Sequence, residues 1–254
     1  MTGGGRPPGR RAARRPGAVL ALAALYALTI VACAAVAGTA QLEATDAFVA
    51  ETGRDLETGA PSARVRSENP DVVAWLEVEG TGISLPVAHA VEEDRGFYLD
   101  HDVFGRPSAA GCPYLDARCS PAGPVLIVYG HRMGDTYRMF SDLGECYRKE
   151  RFSRLGRATW TDPSGTSTQF EPAFALKVDS TWSGLDASPR AGGAAAAPDG
   201  LAHWLVAVSK QADAKSREAD SLCAGATRAL VLVTCSSSVA GGPERTVAVF
   251  VFAR

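Results

Sequence analysis

RALVLVTC at residues 228–235 and RTVAVFVFAR at residues 245–254 are two apolar segments that decide the fold. Both are rich in β-branched and aromatic residues, which favour strands. The residues between them include two glycines and a proline, and this composition predicts a hairpin connection. Cys235 ends the first strand and Arg245 begins the second, so we expect the two side chains to face each other across neighbouring strands.

Further apolar segments indicate that the domain is mostly strand. PVLIVYG at 124–130 is continuously apolar, which is typical of a buried strand, and His131 follows it directly. VVAWLEVEGTGISLPVAHA at 72–90 predicts two strands around a Gly-Thr-Gly turn, and FEPAFALKV at 170–178 predicts another. We therefore expect His131 to emerge at the end of a buried strand.

Helical patterns occupy smaller parts of the chain. Residues 139–156 have a mainly helical composition. Residues 188–200 are Ala- and Gly-rich and predict an exposed loop. After that loop, apolar side chains at helical spacing predict one longer helix within 200–220; they are Leu201, Trp204, Leu205 and Val208.

The N-terminal part of the chain has the pattern of a membrane anchor. Residues 17–40 carry no charge, and about 20 apolar residues suffice to span a bilayer. The arginines of residues 1–16 predict a cytoplasmic N-terminus by the positive-inside rule, and residues 41–68 predict a stalk or N-terminal helical segment before the main domain at 69–254. A cleaved signal peptide, cut among the small residues near position 40, is the alternative.

The charge and cysteine content exclude some classes of function. The chain has 26 Lys and Arg against 28 Asp and Glu, and five of those arginines precede residue 16, which leaves an acidic domain that does not suit nucleic-acid binding. Outside residues 17–40 the sequence has five cysteines, at positions 112, 119, 146, 223 and 235. Cys112 with Cys119, or Cys146 with Cys223, could form disulfides in an exported protein. The cysteine spacings match no zinc-site pattern, so no metal is expected.

Cys235, His131 and Arg245 are the candidate catalytic residues. Each type of residue is usually structural or solvated when it occurs alone. Together they form a coherent set, because a thiolate is the effective nucleophile of cysteine and nearby cations favour it. The permanently charged guanidinium can also meet a developing oxyanion.

These residues resemble the signature of the sortase family of cysteine transpeptidases. The resemblance rests on LVTC at 232–235, on an arginine that opens the last strand, and on YGH at 129–131. Residues 69–87, 97–118 and 129–143 are similar to segments of class B sortases, and the likeness runs from about residue 69 to the C-terminus.

The resemblance implies both a fold and roles for particular residues. The implied fold is mostly β, a closed barrel of about eight strands with short helices and one longer helix before the strand that carries the cysteine. The implied roles are nucleophile for Cys235, acid and base for His131, oxyanion or substrate stabilisation for Arg245, and substrate binding for Thr234. Residues 69–254 are then the catalytic domain, and no cofactor is implied.

The sequence departs from the family pattern in three places. VLVTC stands where TLxTC is usual, and Ser236, Ser237 and Ser238 stand where class B members often carry an Asp. Residues 190–200 match nothing in the family, and they fall where family members contact the sorting signal. The specificity for a sorting motif is therefore left open.

The activity implied by the resemblance is transpeptidation at the outer face of a cell membrane. Secreted proteins with a C-terminal sorting motif would be cleaved through a thioester, and the acyl group would pass to an amine of a cell-wall precursor or of a pilin. The protein would be a single-pass membrane protein with a cytoplasmic N-terminus and an extracellular catalytic domain.

Three other protein classes remain for comparison. In a papain-like protease the cysteine precedes the histidine, whereas His131 precedes Cys235 here. A pilin-polymerising class C sortase usually has an Asp-Pro-aromatic lid motif, which residues 41–68 lack, although a role in pilus anchoring stays open. A membrane-anchored binding module that keeps the barrel without the reaction is the non-enzyme alternative.

Overall fold

The computed structural model describes residues 53–134, 138–189, 199–237 and 242–253, together with eight residues near the N-terminus. The chain divides into two compact units, Met1–Glu43 and Ala44–Arg254. The few described residues of the first unit are helical, and most of the predicted flank at 1–16 and anchor at 17–40 lies outside the described residues. Within the described ranges, no helix is both long enough and apolar enough to cross a bilayer.

The described part of the second unit is built mainly from strands. Its strands are β1 (Val72–Val78), β2 (Ser84–His89), β3 (Tyr114–Leu115), β4 (Val125–Tyr129), β5 (Ala158–Thr161), β6 (Ser167–Asp179), β7 (Ala214–Lys215), β8 (Ala226–Cys235) and β9 (Glu244–Ala253). Its α-helices are α1 (Ala63–Glu68), α2 (Lys149–Phe152), α3 (Gly200–Ser209) and α4 (Ala219–Ala224). Short 3₁₀ turns cover Phe97–Leu99, Ser141–Leu143 and Ser183–Leu185.

Eight of these strands close into a barrel. The order is β5-β1-β2-β3-β4-β8-β9-β6, and pairing between β5 and β6 completes the ring, while β7 adds a short strand to β6. The pairs β2–β3 and β4–β8 are parallel and the others are antiparallel, so the barrel is mixed. This architecture confirms the predicted closed β-barrel of about eight strands.

The strands that lead to the candidate catalytic residues are the most buried part of the barrel. Consecutive residues along β4, β8 and β9 are buried, which means that both faces of these strands are covered. Helix α3 provides part of the cover, because its apolar side chains belong to the same hydrophobic cluster as the strands. The helical spacing seen in the sequence at 201–208 is therefore confirmed as a core-facing pattern.

The helical composition at 139–156 overstates the helix that forms there. Residues 139–156 contain only the turn Ser141–Leu143 and the four-residue helix α2. Arg148 lies between them with an extended backbone, at φ −84° and ψ 132°, which interrupts the helical winding. The longer helix predicted within 200–220 is confirmed as α3, which ends at Ser209, and Ala214 and Lys215 then pair with β6 as β7.

The segment before β1 packs on the barrel. Ser62 caps α1 by accepting a hydrogen bond from the Val65 amide. Val65 is buried in a second hydrophobic cluster, which includes Trp75 and Tyr98. In the described part of the predicted stalk, α1 therefore lies against the same domain that carries the candidate site.

Candidate active site

The parallel pairing of β4 with β8 brings His131 and Cys235 to the same end of the barrel. Tyr129 is the partner of Val233, so His131 and Cys235 each lie two residues beyond a matched pair. The Gly130 amide extends the match by donating to the Val233 carbonyl at 3.1 Å. Both candidate residues line one cleft of about 520 Å³.

Arg245 joins this cleft through the antiparallel pairing of β8 with β9. Its Cα is the direct partner of the Cys235 Cα, so the two side chains lie on the same face of the hairpin, as predicted. The guanidinium Nη1 donates to the Gly242 carbonyl at 2.7 Å and to the Glu244 carbonyl at 3.0 Å. These two backbone oxygens hold the side chain over its own turn, and no carboxylate of the described residues forms an ion pair with it.

A backbone carbonyl orients His131. The His131 Nε2 lies 2.8 Å from the Leu99 carbonyl oxygen. A carbonyl can only accept a hydrogen bond, so Nε2 carries a proton and Nδ1 is the atom that exchanges a proton when the ring cycles between neutral and charged forms. Gly111 leaves room for this carbonyl: its φ is +62°, and a Cβ there would lie only 2.8 Å from the Leu99 oxygen.

Thr234 differs from its neighbours in how it meets the cleft. It is among the residues that line the cleft, but the whole residue is only 3% exposed. Side chains alternate along a strand, so that of Thr234 points away from the face that carries the Cys235 thiol. Its hydroxyl is buried and has no hydrogen-bond partner among the described residues.

A segment after β6 forms the opposite wall of the cleft. Trp182, Leu185 and Asp186 line it there. Arg118 anchors this wall, because its Nη1 donates to the Asp186 carboxylate at 3.0 Å while Nε and Nη2 hold both oxygens of Asp116 at 2.9 and 2.8 Å. The Asp116 side chain is 5% exposed, so the anchor point is fixed in the barrel.

Asp179 places a negative charge near Arg245. Hydrogen bonds from the Thr181 hydroxyl and amide, helped by the charge of Arg245, hold the pKa of Asp179 below its ordinary value. The cleft therefore contains both a carboxylate and a guanidinium on adjoining strands. Among the described residues, no group of three or more His, Cys, Asp or Glu side chains is arranged to hold a metal ion.

The cysteines separate into two environments. No disulfide joins the five cysteines that the structure describes, so neither pairing left open by the sequence is formed. Burial raises the pKa of Cys112 and Cys146 to about 12 and that of Cys223 to about 11. Cys235 is the one described cysteine that is not fully buried, and it lies on the cleft.

Sequence reasoning placed Cys235, His131 and Arg245 in one site, and the structure brings all three to the cleft. It missed the Leu99 carbonyl, which as a backbone group leaves no mark in a sequence. It also missed Arg132 and Asp186. Adjacency to His131 was the only available signal for Arg132, and nothing marked Asp186.

Comparisons with known proteins identify the fold. No protein-family model matches the chain. No curated protein matches it either. Among solved structures, sortase B of Clostridium perfringens is similar at 23% identity and a TM-score of 0.62, over 74% of this chain and 97% of that one.

Two further solved structures agree. Sortase B of B. anthracis in complex with AAEK1 matches at 19% identity and a TM-score of 0.62, over 84% of this chain and 94% of the other. The Staphylococcus aureus sortase B–substrate complex matches at 17% identity and a TM-score of 0.60, over 85% and 94%. The chain therefore has the fold of the class B sortases, as the motifs around His131 and Cys235 predicted.

Proposed function

We propose that the protein is a membrane-anchored cysteine transpeptidase of the sortase type. The observation that carries the proposal is the cross-strand pairing of Cys235 with Arg245, next to a parallel strand that ends at His131. A nucleophile, an anion-stabilising group and a proton-transfer group thus meet on one cleft. The class B sortase fold supports this reaction over other thiol chemistry.

The first half-reaction forms a thioester. The Cys235 thiolate attacks the carbonyl carbon of the scissile peptide bond, and the guanidinium of Arg245 stabilises the oxyanion. When the C–N bond breaks, the protonated His131 gives its Nδ1 proton to the leaving amine. His131 is then neutral and keeps its Nε2 proton on the Leu99 carbonyl.

The second half-reaction transfers the acyl group to an amine. The incoming amine attacks the thioester carbonyl, His131 Nδ1 takes the proton that the amine loses, and the C–S bond breaks. An amide product leaves, and the Cys235 thiolate and the protonated His131 are restored. No cofactor is needed for these steps.

The partners follow from the same proposal. One solved sortase B is described as a substrate complex and another as complexed with Gly3, which supports a peptide donor and an amine acceptor here. We infer that the donors are secreted proteins with a C-terminal sorting motif and that the acceptor is a cell-wall precursor amine, with a pilin amine as the alternative. Residues 17–40 would anchor the chain in the cell membrane and leave the domain at 69–254 outside it.

Mass spectrometry tests the proposal directly. The detergent-solubilised full chain is incubated with a library of sorting-motif peptides and triglycine, beside Cys235→Ala as a matched control. We expect a thioester adduct and an amine-exchanged product from the wild type and neither from the variant. If the folded wild-type protein gives no adduct with any peptide, the binding-module alternative replaces the enzyme.

A further inference from the structure

We propose that Arg132 is a positioning residue that locks the segment carrying His131 to the segment carrying Cys235. The roles of those two residues rest on the proposed function, but the contact itself does not. The Arg132 Nη1 donates a short hydrogen bond to the carbonyl oxygen of Ser236, the residue directly after Cys235. These two partners are 104 residues apart in sequence.

This contact is the second of two hydrogen bonds that hold the backbone on either side of the candidate nucleophile. On one side of His131, the Gly130 amide donates to the Val233 carbonyl at 3.1 Å. On the other side, Arg132 reaches Ser236. The residues that flank His131 therefore hold backbone oxygens on both sides of Cys235. Neither segment can shift along the strand direction without breaking one of these bonds.

Arg132 is built into the fold. Its side chain is only 9% exposed, and its Nη2 lies 4.0 Å from the Glu145 Oε1. Gly144 leaves just enough room for the side chain, because a Cβ there would lie 2.6 Å from the Arg132 Cδ. A planar guanidinium can serve a carbonyl and a carboxylate in two directions at once, which a lysine ammonium on a flexible stem does less well.

Ser236 is a fixed point for this bond. It is buried, its amide donates to the Glu244 carbonyl at 3.2 Å, and its hydroxyl lies 3.0 Å from the Thr246 hydroxyl. Arg132 thus connects a buried residue directly after Cys235 to the segment that carries His131.

The expected consequence is an effect on turnover and not on peptide affinity. A displacement of about 1 Å in a catalytic group can lower a rate by about 10²-fold. Arg132 also lines the cleft with Arg245, so its removal takes one cation from the surroundings of the Cys235 thiol. The displacement of the segment and the loss of the nearby cation both slow the reaction of the Cys235 thiol. The cleft wall at Trp182 stays unchanged.

The test compares Arg132→Met and Arg132→Lys with Arg148→Met in the full chain. Arg148 is a matched control, since its guanidinium also lies near Glu145, at 3.7 Å, but its side chain is 57% exposed. We expect Arg132→Met to lower kcat by about 10- to 100-fold with KM changed less than about threefold, and Arg132→Lys to recover part of the loss. Arg148→Met is expected to match the wild type.

A second measurement keeps the test independent of any substrate. The rate of Cys235 alkylation by iodoacetamide at pH 7.5 is followed by peptide mapping, well below the unfolding temperature of each variant. We expect Arg132→Met to react several-fold more slowly at Cys235 than Arg148→Met, even if no peptide proves to be a substrate. Equal alkylation rates at Cys235 in Arg132→Met and Arg148→Met would overturn the positioning role. A loss of kcat that follows lowered thermal stability in both of these variants would overturn it too.

Discussion

The ladder formed by β8 and β9 carries an arginine near each end, and the two arginines are held differently. Arg228 lies near the start of β8 and donates at 3.2 Å to three groups from two separate segments, which are the Gly123 and Pro121 carbonyls of one loop and the Thr168 hydroxyl of β6. Arg245 lies at the other end and donates from Nη1 alone to carbonyls of its own turn.

The structure gives different surroundings to two arginines whose sequence positions look alike. Both arginines lie at the ends of apolar strands. The guanidinium of Arg228 packs over the Phe170 ring with a separation of 5.8 Å, and burial lowers its pKa from the ordinary value. Its hydrogen bonds connect separate chain segments. Arg245 faces Cys235 across the ladder and presents its charge to the cleft.

Replacing Arg245 should give the largest effect on activity. We expect Arg245→Ala to lower kcat/KM for the peptide transfer by about 10²- to 10³-fold, because the oxyanion loses its stabilising charge. Arg245→Lys should recover only part of this, since the planar fork is lost. Steady-state kinetics with the peptide identified from the library measures both. An equal loss of kcat/KM in Arg228→Ala would contradict the proposed difference between the two ends of the β8–β9 ladder.

Replacing Arg228 should act on stability. We expect Arg228→Ala to lower the free energy of unfolding by about 1–3 kcal/mol, because the Gly123 and Pro121 carbonyls lose their donor. Urea denaturation measures the change, and kcat/KM at 25 °C should stay within about twofold of the wild type. A variant that keeps full stability but loses turnover would place Arg228 in the reaction.

Loosening the cleft wall should have a smaller effect. Asp186→Asn removes the charge that meets Arg118, and we expect KM for the peptide to rise by about two- to fivefold with kcat nearly unchanged. Asp186 is 64% exposed, so the pair is partly screened by solvent and the effect stays modest. Asp213→Asn, at an exposed carboxylate outside the cleft, serves as the control. A rise in KM of equal size in that control would indicate a general charge effect.

The smallest effect concerns acid stability at the Arg245 end. The pKa of Asp179 is held below 3.8, so its ionised form stabilises the folded protein above about pH 4, and that contribution is lost as the pH falls through the lowered pKa. The stability difference between wild type and Asp179→Asn should therefore be larger at pH 6 than at a pH below the lowered pKa. Thermal unfolding at several pH values measures it. A difference that is constant over this range would exclude ionisation as its cause.

Much of the barrel could be predicted from the sequence because its strands are marked by local patterns. The long strands β1, β8 and β9 are rich in β-branched residues, and the turn residues before Arg245 predict the hairpin that pairs it with Cys235. The helix expected at 139–156 forms only in part, because Arg148 adopts an extended backbone between the turn Ser141–Leu143 and α2, and nothing in its side chain marks it as a helix breaker. β7 was missed because two residues carry too little pattern.

The side chains of the candidate site could be predicted from the sequence, but the groups that hold them in position could not. Cys235 and Arg245 are ten residues apart, and a hairpin brings such residues together. The Leu99 carbonyl that orients His131 is a backbone group, and every residue has one. The Arg132 contact to Ser236 depends on a parallel register between strands far apart in the chain, which no local pattern encodes.

The parallel register of β4 with β8 has a consequence for the order in which the protein folds. A hairpin such as β8–β9 forms in about 1–10 μs, because its loop is short. The β4–β8 contact must first close a loop of about 100 residues, and such non-local pairings slow folding. Cys235 and Arg245, the candidate nucleophile and anion-stabilising group, thus come together before His131 joins them. Under the proposed function, a chain still folding would hold a thiol beside a cation before it had an acid to release a leaving amine.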